Sequence, residues 1–407
     1  MRPHRLHLGV FVGLPLLLLA ACSDDPKPPM PGPSAPGAGS STPLTQPIIK
    51  FYDKDKTKKA EEGTLVNLKR EGPWTFYYQD GAKEKAGSFR ADVQDGEWQG
   101  WHPNGRPAYA GKYDNGLRVG LWTSFHENGQ KGAEGTFENN VQTGPATEWH
   151  ANGQKSKEGA FKNGLKVGRW TFWHEDGKKA AEGEYANDQR VGNWVQYHPN
   201  AEKANEGAYD AGKKLGPWVG FWPNGTLAER GEMVDGMRSG EWLEYWDDGT
   251  LRSRGAFERD ERSGVTEFFA AGGKLQWKSG FKSNQAEGPA TFFHETGQKA
   301  AEGEMKEGLR VGKWTLFHES GAKKAEGECV AGEEEGLWNF WNADGSVDTE
   351  QTGTYKAGAK IDPNAPATPA EGAPNEPAPA DGAPKEPAPT NPAPTEPPTE
   401  PPTDGGK

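Results

Sequence analysis

Residues 168–188 read GRWTFWHEDGKKAAEGEYAND, and close copies of this stretch recur over most of the 407-residue chain. Its first glycine belongs to a series of twelve that follow one another at intervals of 24 residues, without insertion. The series consists of Gly72, Gly96, Gly120, Gly144, Gly168, Gly192, Gly216, Gly240, Gly264, Gly288, Gly312 and Gly336. A fixed period of this length indicates stacked supersecondary units, none of which can bury its apolar face alone. We therefore expect a repeat array, and we number the positions of each unit from this glycine, which is position zero.

Two further parts of the unit favour chain reversals. Position nine is Gly in eleven of the twelve units, and position eight is Asn or Asp in nine. Asn-Gly and Asp-Gly pairs are typical of a type I′ hairpin turn, which needs positive φ at both central residues. Position twenty is Gly, Asn or Asp in eleven units, and these residue types tolerate the left-handed region. Two turns per unit predict two short strands per unit, with a type I′ turn at positions eight and nine.

The first turn also predicts how the strands pair. If it is centred on positions eight and nine, position two faces position fifteen, and position zero faces position 17. Position two is Trp in nine units, position fifteen is Gly in ten, and position 17 is aromatic or apolar in eleven. A large ring over a strand glycine covers exposed backbone and fixes the strand register. We therefore expect the glycines at positions zero and fifteen to lie beneath rings.

Position five is aromatic in every unit. The first unit has Tyr77 there, and the later units have Trp101, Phe125, Trp149, Trp173, Tyr197, Phe221, Tyr245, Phe269, Phe293, Phe317 and Trp341. In a regular strand, positions two and five lie on opposite faces. Either both faces of the sheet carry an aromatic row, or a bulge near position four brings the two rows together. The position-five rings are candidates for the core of the array or for a binding surface along it.

The repeated unit resembles the MORN repeat variant, the bacterial form of the membrane occupation and recognition nexus repeat, from Gly72 to about Lys360. This resemblance implies an all-β fold. The expected architecture is an elongated, single-layer antiparallel β-meander, or solenoid, of about twelve stacked 24-residue hairpins over residues 72–360. Because each unit contacts only its neighbours, the stability of such an array is approximately additive along the chain.

An incomplete unit at residues 48–71 is expected to cap the array, with Gly63 and Leu65 at positions fifteen and 17. The last unit carries two extra residues before Gly353 and Tyr355. The other departures are Ala146, Thr266 and Ala290, which replace Trp, and Gly280, which stands one place late. We expect the units with these departures to be the softer parts of the array.

Residues 1–21 are predicted to be a lipoprotein signal peptide. An apolar run from Leu8 to Ala21 follows two arginines and is too short to span a bilayer as a mature helix. It ends in Leu-Ala-Ala before Cys22, which resembles a bacterial lipobox and implies cleavage before Cys22 and its lipidation. Several acyl chains would anchor the protein stably. Ser23 follows the cysteine in place of Asp, which favours the outer membrane over the inner membrane. The alternative is an ordinary secretory signal with an unrelated cysteine.

Residues 22–47 and 361–407 are rich in Pro and contain little that a core could bury. We interpret the first segment as a tether and the second as a disordered tail rich in Pro, Ala, Glu and Thr. The tail holds eight acidic residues and two lysines, which is half of the formal net charge of −12. It could serve as a spacer, a brush facing the cell wall or a docking segment. No basic stripe typical of nucleic-acid binding is present.

Seven of the nine histidines stand at position six: His102, His126, His150, His174, His198, His294 and His318. Equivalent positions in adjacent units lie two strands apart, about 9.5 Å, whereas zinc holds imidazole nitrogens at about 2.0–2.1 Å. We therefore expect a ladder of histidines beside the turns and no shared metal ion. The sequence also contains no nucleophile elbow, phosphate loop or HExxH motif. We expect neither enzymatic activity nor a cofactor.

These features favour a lipid-anchored envelope protein whose repeat sheet is a scaffold for a protein or glycan partner. A first alternative, an antitoxin- or immunity-like inhibitor of a toxin, follows only from the family resemblance. A second alternative is a structural spacer. Whether two sheets pair face to face stays open at this point; a homodimer is a candidate, because a single-layer sheet with aromatic rows on both faces would expose large apolar patches.

Overall fold

The structure is a computed structural model that describes residues 43–362. Within this range 27 strands form one antiparallel sheet, in which each strand pairs with the next strand of the sequence. The predicted all-β meander of consecutive hairpins is thereby confirmed. The predicted signal peptide, Cys22, most of the tether and the tail from residue 363 onward lie outside the described residues.

The first half of the sheet consists of β1 (Thr45–Phe51), β2 (Lys59–Val66), β3 (Lys69–Tyr77), β4 (Lys83–Arg90), β5 (Val93–Trp101), β6 (Pro107–Asp114), β7 (Leu117–Phe125), β8 (Lys131–Glu138), β9 (Val141–Trp149), β10 (Lys155–Lys162), β11 (Leu165–Trp173), β12 (Lys179–Ala186), β13 (Gln189–Tyr197) and β14 (Lys203–Asp210). The second half consists of β15 (Lys213–Phe221), β16 (Leu227–Val234), β17 (Met237–Tyr245), β18 (Leu251–Glu258), β19 (Glu261–Phe269), β20 (Leu275–Lys282), β21 (Gln285–Phe293), β22 (Lys299–Lys306), β23 (Leu309–Phe317), β24 (Lys323–Val330), β25 (Glu333–Phe340), β26 (Gly353–Lys356) and β27 (Ala359–Lys360).

Both ends of the array keep the pairing of the complete units. In the first hairpin, Gly63 on β2 lies beneath the ring of Trp74, as a position-fifteen glycine does. On the other side Gly63 pairs with Ile48 of β1. In the last unit Trp338 pairs with Gly353, so the two extra residues are absorbed before β26.

The two turns of the unit have different geometries, and the prediction of a type I′ turn at positions eight and nine is wrong. In the unit of Gly96, the amide of Gly105 donates to the carbonyl of His102 at 2.8 Å, and Gly105 alone has positive φ, at 80°. Asn104 has ordinary φ, and its side-chain oxygen accepts the amide of Arg106 at 3.0 Å. Asn-Gly therefore forms the end of a type I turn followed by a left-handed glycine. The type I′ geometry occurs instead at positions nineteen and twenty, where both residues have positive φ throughout the array.

The predicted pairing is confirmed from position zero to position four and then shifts by one residue. In the hairpin of β11 and β12, Gly168 pairs with Tyr185 and Trp170 with Gly183. Phe172 pairs with Ala181, but Trp173 pairs with Lys179, so position twelve is an extra residue on the second strand. A β-bulge of this kind bends the strand and re-aims the side chains that follow it. The bulge therefore stands beside the turn of every hairpin.

The position-zero glycines lie at a second irregularity, in the pairing between the last strand of one unit and the first strand of the next. The prediction that they lie beneath rings is wrong. All twelve have positive φ, between 63° and 84°. A β-carbon on Gly168 would meet no heavy atom within 4 Å. Between β10 and β11 the ladder passes from Thr171 to Val167, while the partner strand advances only from Glu158 to Ala160. The extra residues form a bulge whose backbone enters the left-handed region, and glycine is favoured there for that reason.

Eight of the ten position-fifteen glycines do lie beneath tryptophan rings, but the ring belongs to the following unit. A β-carbon on Gly183 would stand 2.2 Å from the Cδ2 atom of Trp194. The indole nitrogen of Trp194 donates to the carbonyl of Glu184 at 3.1 Å. Each such tryptophan therefore packs on the strand before its own, and all of them except Trp170 also hydrogen-bond to it. This contact joins consecutive units into one array.

A single sheet buries these rings with its own side chains. Eight of the nine position-two tryptophans are no more than 4% exposed. Cations at position 22 cover seven of the nine tryptophans. The guanidinium of Arg190, for example, lies 4.4 Å from the ring centroid of Trp194 and 5.4 Å from that of Tyr209. Rings at positions four and 17 complete the cover; Tyr185, for example, meets Trp194 edge-on at 5.1 Å. The aromatic core is therefore complete within one chain, with cation–π contacts in place of a second layer.

Two neighbouring units without tryptophan fill the gap with another ring. Ser279 replaces the position-fifteen glycine and pairs with both Thr266 and Ala290. Trp277 stacks on Phe268 at 4.4 Å and on Phe292 at 5.6 Å. The hydroxyls of Thr266 and Ser279 are nevertheless buried without a hydrogen-bond partner, which is unfavourable. The expectation that these units are softer stays a prediction.

Gly183→Ala tests the contact between units. The added methyl would overlap the Trp194 ring, and relieving that overlap should cost about 1–3 kcal/mol of local stability. Native-state hydrogen exchange should show the loss at β12 and β13. Gly132→Ala is the matched control, because a β-carbon there meets only ordinary contacts at 3.5–3.6 Å. Equal effects of the two substitutions would contradict the role of the ring contact.

Candidate functional site

The sheet has two chemically different faces. Positions two, four, thirteen, fifteen and 17 share one face, here called the core face, because their rings contact one another. Positions one, three, five, eleven and fourteen lie on the other side, here called the open face, by strand alternation and pairing. The extra residue of the bulge is position twelve on the second strand, so the first strand keeps its alternation and the two aromatic rows stay apart. Both faces therefore carry an aromatic row.

The position-five row follows the open face from Tyr77 to Trp341 and is half-buried along its whole length. It comprises Tyr77 and the eleven predicted surface rings: Trp101, Phe125, Trp149, Trp173, Tyr197, Phe221, Tyr245, Phe269, Phe293, Phe317 and Trp341. None of these rings takes part in the ring contacts recorded for the core face within residues 43–362. The row is thus accessible aromatic surface that the core does not use.

Lysine and glutamate side chains frame most of this row. In the unit of Gly120, the ammonium group of Lys131 at position eleven binds the carboxylate of Glu134 at position fourteen, at 2.7 Å. The same ammonium group lies 5.4 Å from the ring centroid of Trp149 in the next unit. Further lysine–glutamate pairs of this kind are Lys59–Glu62, Lys155–Glu158, Lys179–Glu182, Lys203–Glu206, Lys299–Glu302 and Lys323–Glu326. We call each pair a charged rung.

The rung at Glu182 is the most strongly perturbed of these ionisable sites. Its carboxylate accepts hydrogen bonds from the Arg169 guanidinium, from Lys179 at 3.1 Å and from the Tyr197 hydroxyl at 3.0 Å. The Arg169 hydrogen bond is the largest effect and, with the other contacts, lowers the pKa of Glu182 to about 2. Burial, followed by the hydrogen bond to Glu182, raises the pKa of Tyr197. The row is therefore lined here by a fixed negative charge.

Three consecutive units lack the charged rung. At the cross-strand pair of positions five and eleven they place leucine, where the other units place lysine, proline or, in the last unit, Val347. The six side chains, here called the apolar strip, are Phe221, Leu227, Tyr245, Leu251, Phe269 and Leu275. Position fourteen is a cation in the same units, as Arg230, Arg254 and Lys278. Sequence reasoning missed both the rungs and the strip, although position eleven carries the signal.

The histidines join consecutive turns. The Nε2 atom of His102 lies 2.8 Å from the carbonyl oxygen of Phe125, the position-five residue of the next unit. The other six histidines make the same contact, at 2.8 to 3.4 Å. A carbonyl only accepts, so Nε2 carries the proton. Where histidine is absent, Trp222 and Trp246 donate through their indole nitrogens at 3.0 Å. With Tyr78, whose hydroxyl donates to the Trp101 carbonyl, position six therefore supplies a donor to the next unit in ten of the twelve units, which is a structural role.

The remaining candidate features are metal-binding clusters, membrane-spanning helices and the two cysteines. In residues 43–362 no group of three or more His, Cys, Asp or Glu side chains could hold a metal ion. The same residues contain no helix that could cross a lipid bilayer. Cys329 is buried on the core face, and desolvation raises the pKa of its thiol. Cys22, the predicted lipidation site, lies outside the described part of the chain.

Comparison with known proteins identifies the repeats. The family model described as "MORN repeat variant" matches residues 94–115, 118–139 and 166–187, each of which spans one hairpin of the array. The array therefore contains MORN-type repeats. No curated protein matches the chain.

Solved structures of toxin complexes show only distant similarity. The crystal structure of TcdB2-TccC3 matches at 8% identity over 74% of this chain and 18% of that chain, with a TM-score of 0.15. The Tc holotoxin pore of Photorhabdus luminescens matches at 10% identity over 78% of this chain and 21% of that chain, with a TM-score of 0.14. The chain thus spans about a fifth of the length of the solved chains it matches. TM-scores this low support no inference about function.

His150→Ala removes one donor between units. The loss of the hydrogen bond to the Trp173 carbonyl, which is 3.0 Å long, should cost about 0.5–1.5 kcal/mol of local stability. Hydrogen exchange of the amides around β9 and β11 would measure the loss. His150→Trp is the control, because tryptophan donates at this position in two natural units. If both variants lose the same protection, the donor is not what position six contributes.

Arg169→Ala should raise the pKa of Glu182 from about 2 toward its ordinary value of 4.5. Because the folded-state pKa lies below the ordinary value, the carboxylate stabilises the fold fully above about pH 4.5. That contribution is lost as the pH falls toward about 2. A ¹³C carboxyl NMR titration would measure the shift. Lys162→Ala removes the same charge outside this cluster and should leave the titration of Glu182 unchanged; an unchanged titration in Arg169→Ala would refute the assignment.

Proposed function

We propose that this chain is a lipid-anchored protein of the bacterial cell envelope whose repeat sheet is a scaffold for a protein or glycan partner. The observation that carries the proposal is the half-buried position-five row on the open face. The rings at position two serve the core, whereas the rings at position five do not contact them. A continuous accessible aromatic row is a recognised feature of binding surfaces.

The chemistry of the row suits recognition by contact. Tryptophan and tyrosine offer a large, rigid, apolar surface together with a polar atom, so they dominate the energetics of many interfaces. The charged rungs beside Trp149, Trp173 and Tyr197 add donors and acceptors at regular intervals. Such a surface can stack on sugar rings or on apolar side chains and orient them through hydrogen bonds. The proposal assigns no reaction and no cofactor to the chain.

The location follows from the sequence of the N-terminus. The lipobox-like segment before Cys22 supports an acylated anchor, and the residue after it supports the outer membrane. Residues 22–47 would then hold the array away from the membrane surface. The membrane contact would be made through lipidated Cys22. The proposal includes no nucleic-acid partner.

Each of three other possibilities would give its own experimental result. An antitoxin- or immunity-like inhibitor would require a toxin encoded beside the gene and a toxicity phenotype on its deletion. A structural spacer would tolerate removal of two whole units, such as residues 120–167, without loss of function. A homodimer through sheet faces would appear as a self-crosslink. The burial of the core-face tryptophans within one chain leaves the open face as the surface for such pairing.

Trp149→Ala combined with Trp173→Ala tests the proposed binding surface. Truncation of buried aromatic anchors costs at least about 2 kcal/mol when they dominate an interface, so partner capture should fall more than about tenfold. Capture would be measured in intact cells by a photocrosslinking residue in place of Tyr197. It would also be measured by cosedimentation with purified cell-wall glycan.

The control for this experiment combines Leu117→Ala with Leu165→Ala. Both leucines are exposed and lie near the opposite turns of their hairpins, away from the aromatic row. The control should retain full capture. Absence of any saturable partner in both assays, or equal losses in the two double variants, would contradict the proposal.

A further inference from the structure

The apolar strip interrupts the open face over three consecutive units. Its cross-strand pairs are Phe221 with Leu227, Tyr245 with Leu251 and Phe269 with Leu275. Charged rungs precede the strip at Lys203–Glu206 and follow it at Lys299–Glu302. With strands about 4.8 Å apart, three units make a strip about 29 Å long. The strip is therefore an apolar surface that is bounded by a charged rung at each end.

Position fourteen carries cations beside the strip, whereas it carries glutamate in the rung units. Within the strip, Glu267 is the cross-strand neighbour of both Arg254 and Lys278. Arg230 is exposed, Lys278 is half-buried, and neither forms an ion pair within residues 43–362. Arg254, between them, binds Glu267 at 2.6 Å. Six other units, by contrast, place a rung glutamate at position fourteen. A ligand that is both apolar and acidic would therefore match the strip better than the neighbouring rungs, where each lysine is already paired with a glutamate.

The chain itself contains a segment with that chemistry. Residues 363–407, outside the described range, carry seven acidic residues and two lysines. The acids stand among prolines and alanines, as in Glu376-Pro-Ala-Pro and Glu386-Pro-Ala-Pro. Proline-rich peptides bind aromatic-lined surfaces as extended polyproline II chains, which lose little entropy on binding. The segment thus offers apolar rings and carboxylates together.

We propose that the acidic, proline-rich segment 363–407 docks on the apolar strip of its own chain. Prolines and alanines cover the ring–leucine pairs, and the glutamates face Arg230 and Lys278. This goes beyond the proposed function, because it assigns an occupant to one part of the open face. An external partner at this part of the face would have to displace the segment.

The segment is long enough to reach the strip. From the end of β27 the strip begins seven strands away at β20 and ends twelve strands away at β15, which is about 34 and 58 Å. Forty-five residues of polyproline II would extend about 140 Å. Tethering also raises the effective concentration of the segment into the millimolar range, so a weak contact suffices for docking.

Paramagnetic relaxation in the full chain tests this docking. A spin label on Ala380→Cys, in a chain that also carries Cys22→Ala, reports proximity to leucine methyl groups; buried Cys329 is protected from labelling. The methyls of Leu227, Leu251 and Leu275 should lose most of their signal. Those of Leu117 and Leu165, which are exposed leucines in other units, should keep it. Equal broadening at all five leucines, or none at the strip, would overturn the proposal.

Arg230→Glu combined with Lys278→Glu supplies the second measurement. Glutamate occupies position fourteen in other units, so the fold should tolerate both changes. The variant should restore the signals of the strip leucines. Lys162→Glu with Lys306→Glu makes the same charge change at exposed positions outside the strip and should leave the broadening intact. Persistent broadening in the strip variant would exclude this docking, whereas capture through Trp149 and Trp173 is measured independently.

Discussion

The contact between a tryptophan ring and the glycine of the preceding unit is the interaction on which the array depends. The ring of Trp194 occupies the space of a β-carbon on Gly183, and its indole nitrogen donates to the next carbonyl of that strand. A larger residue in place of the glycine would meet the ring, and a smaller residue in place of the tryptophan would leave space over the glycine. Where tryptophan is absent, Gly135 and Gly255 are retained, and only one glycine is replaced. Ser279 stands where Thr266 and Ala290 leave room, and Trp277 fills the space above them.

Because this contact acts between neighbouring units, the stabilising contacts are spread along the chain and are not concentrated in one central core. Donors at position six, such as His102, and amides at position twenty, such as that of Gly116, add hydrogen bonds to the adjacent unit. The cations at position 22 then cover most of the rings, so the sheet needs no second layer to make a core. This explains how one open sheet of 27 strands can stand within a single chain.

The separation of the two faces has a functional consequence. The core face is constrained by ring packing, whereas the open face is free to vary from unit to unit. The variation is organised, since charged rungs accompany the row around Trp149 and Trp173, and the apolar strip replaces them from Phe221 to Leu275. A polar aromatic surface and an apolar surface thus lie side by side on one face, and they suit different ligands. We expect the rungs to serve the envelope partner and the strip to hold the acidic segment.

The 24-residue period, the two hairpin turns and the pairing of Trp170 with Gly183 were all determined by the sequence, because turn residues and strand alternation are local properties. Three features were decided only by the tertiary structure. Asn-Gly at positions eight and nine is compatible with more than one turn, and the side-chain and backbone hydrogen bonds of Asn104 and Gly105 selected type I. Position fifteen has a tryptophan on both neighbouring strands, and only three-dimensional packing decided that the following one covers it. The extra residue of the bulge is position twelve, on the second strand of the hairpin, so the first strand keeps its regular alternation. The position-five rings therefore lie on the face opposite the core.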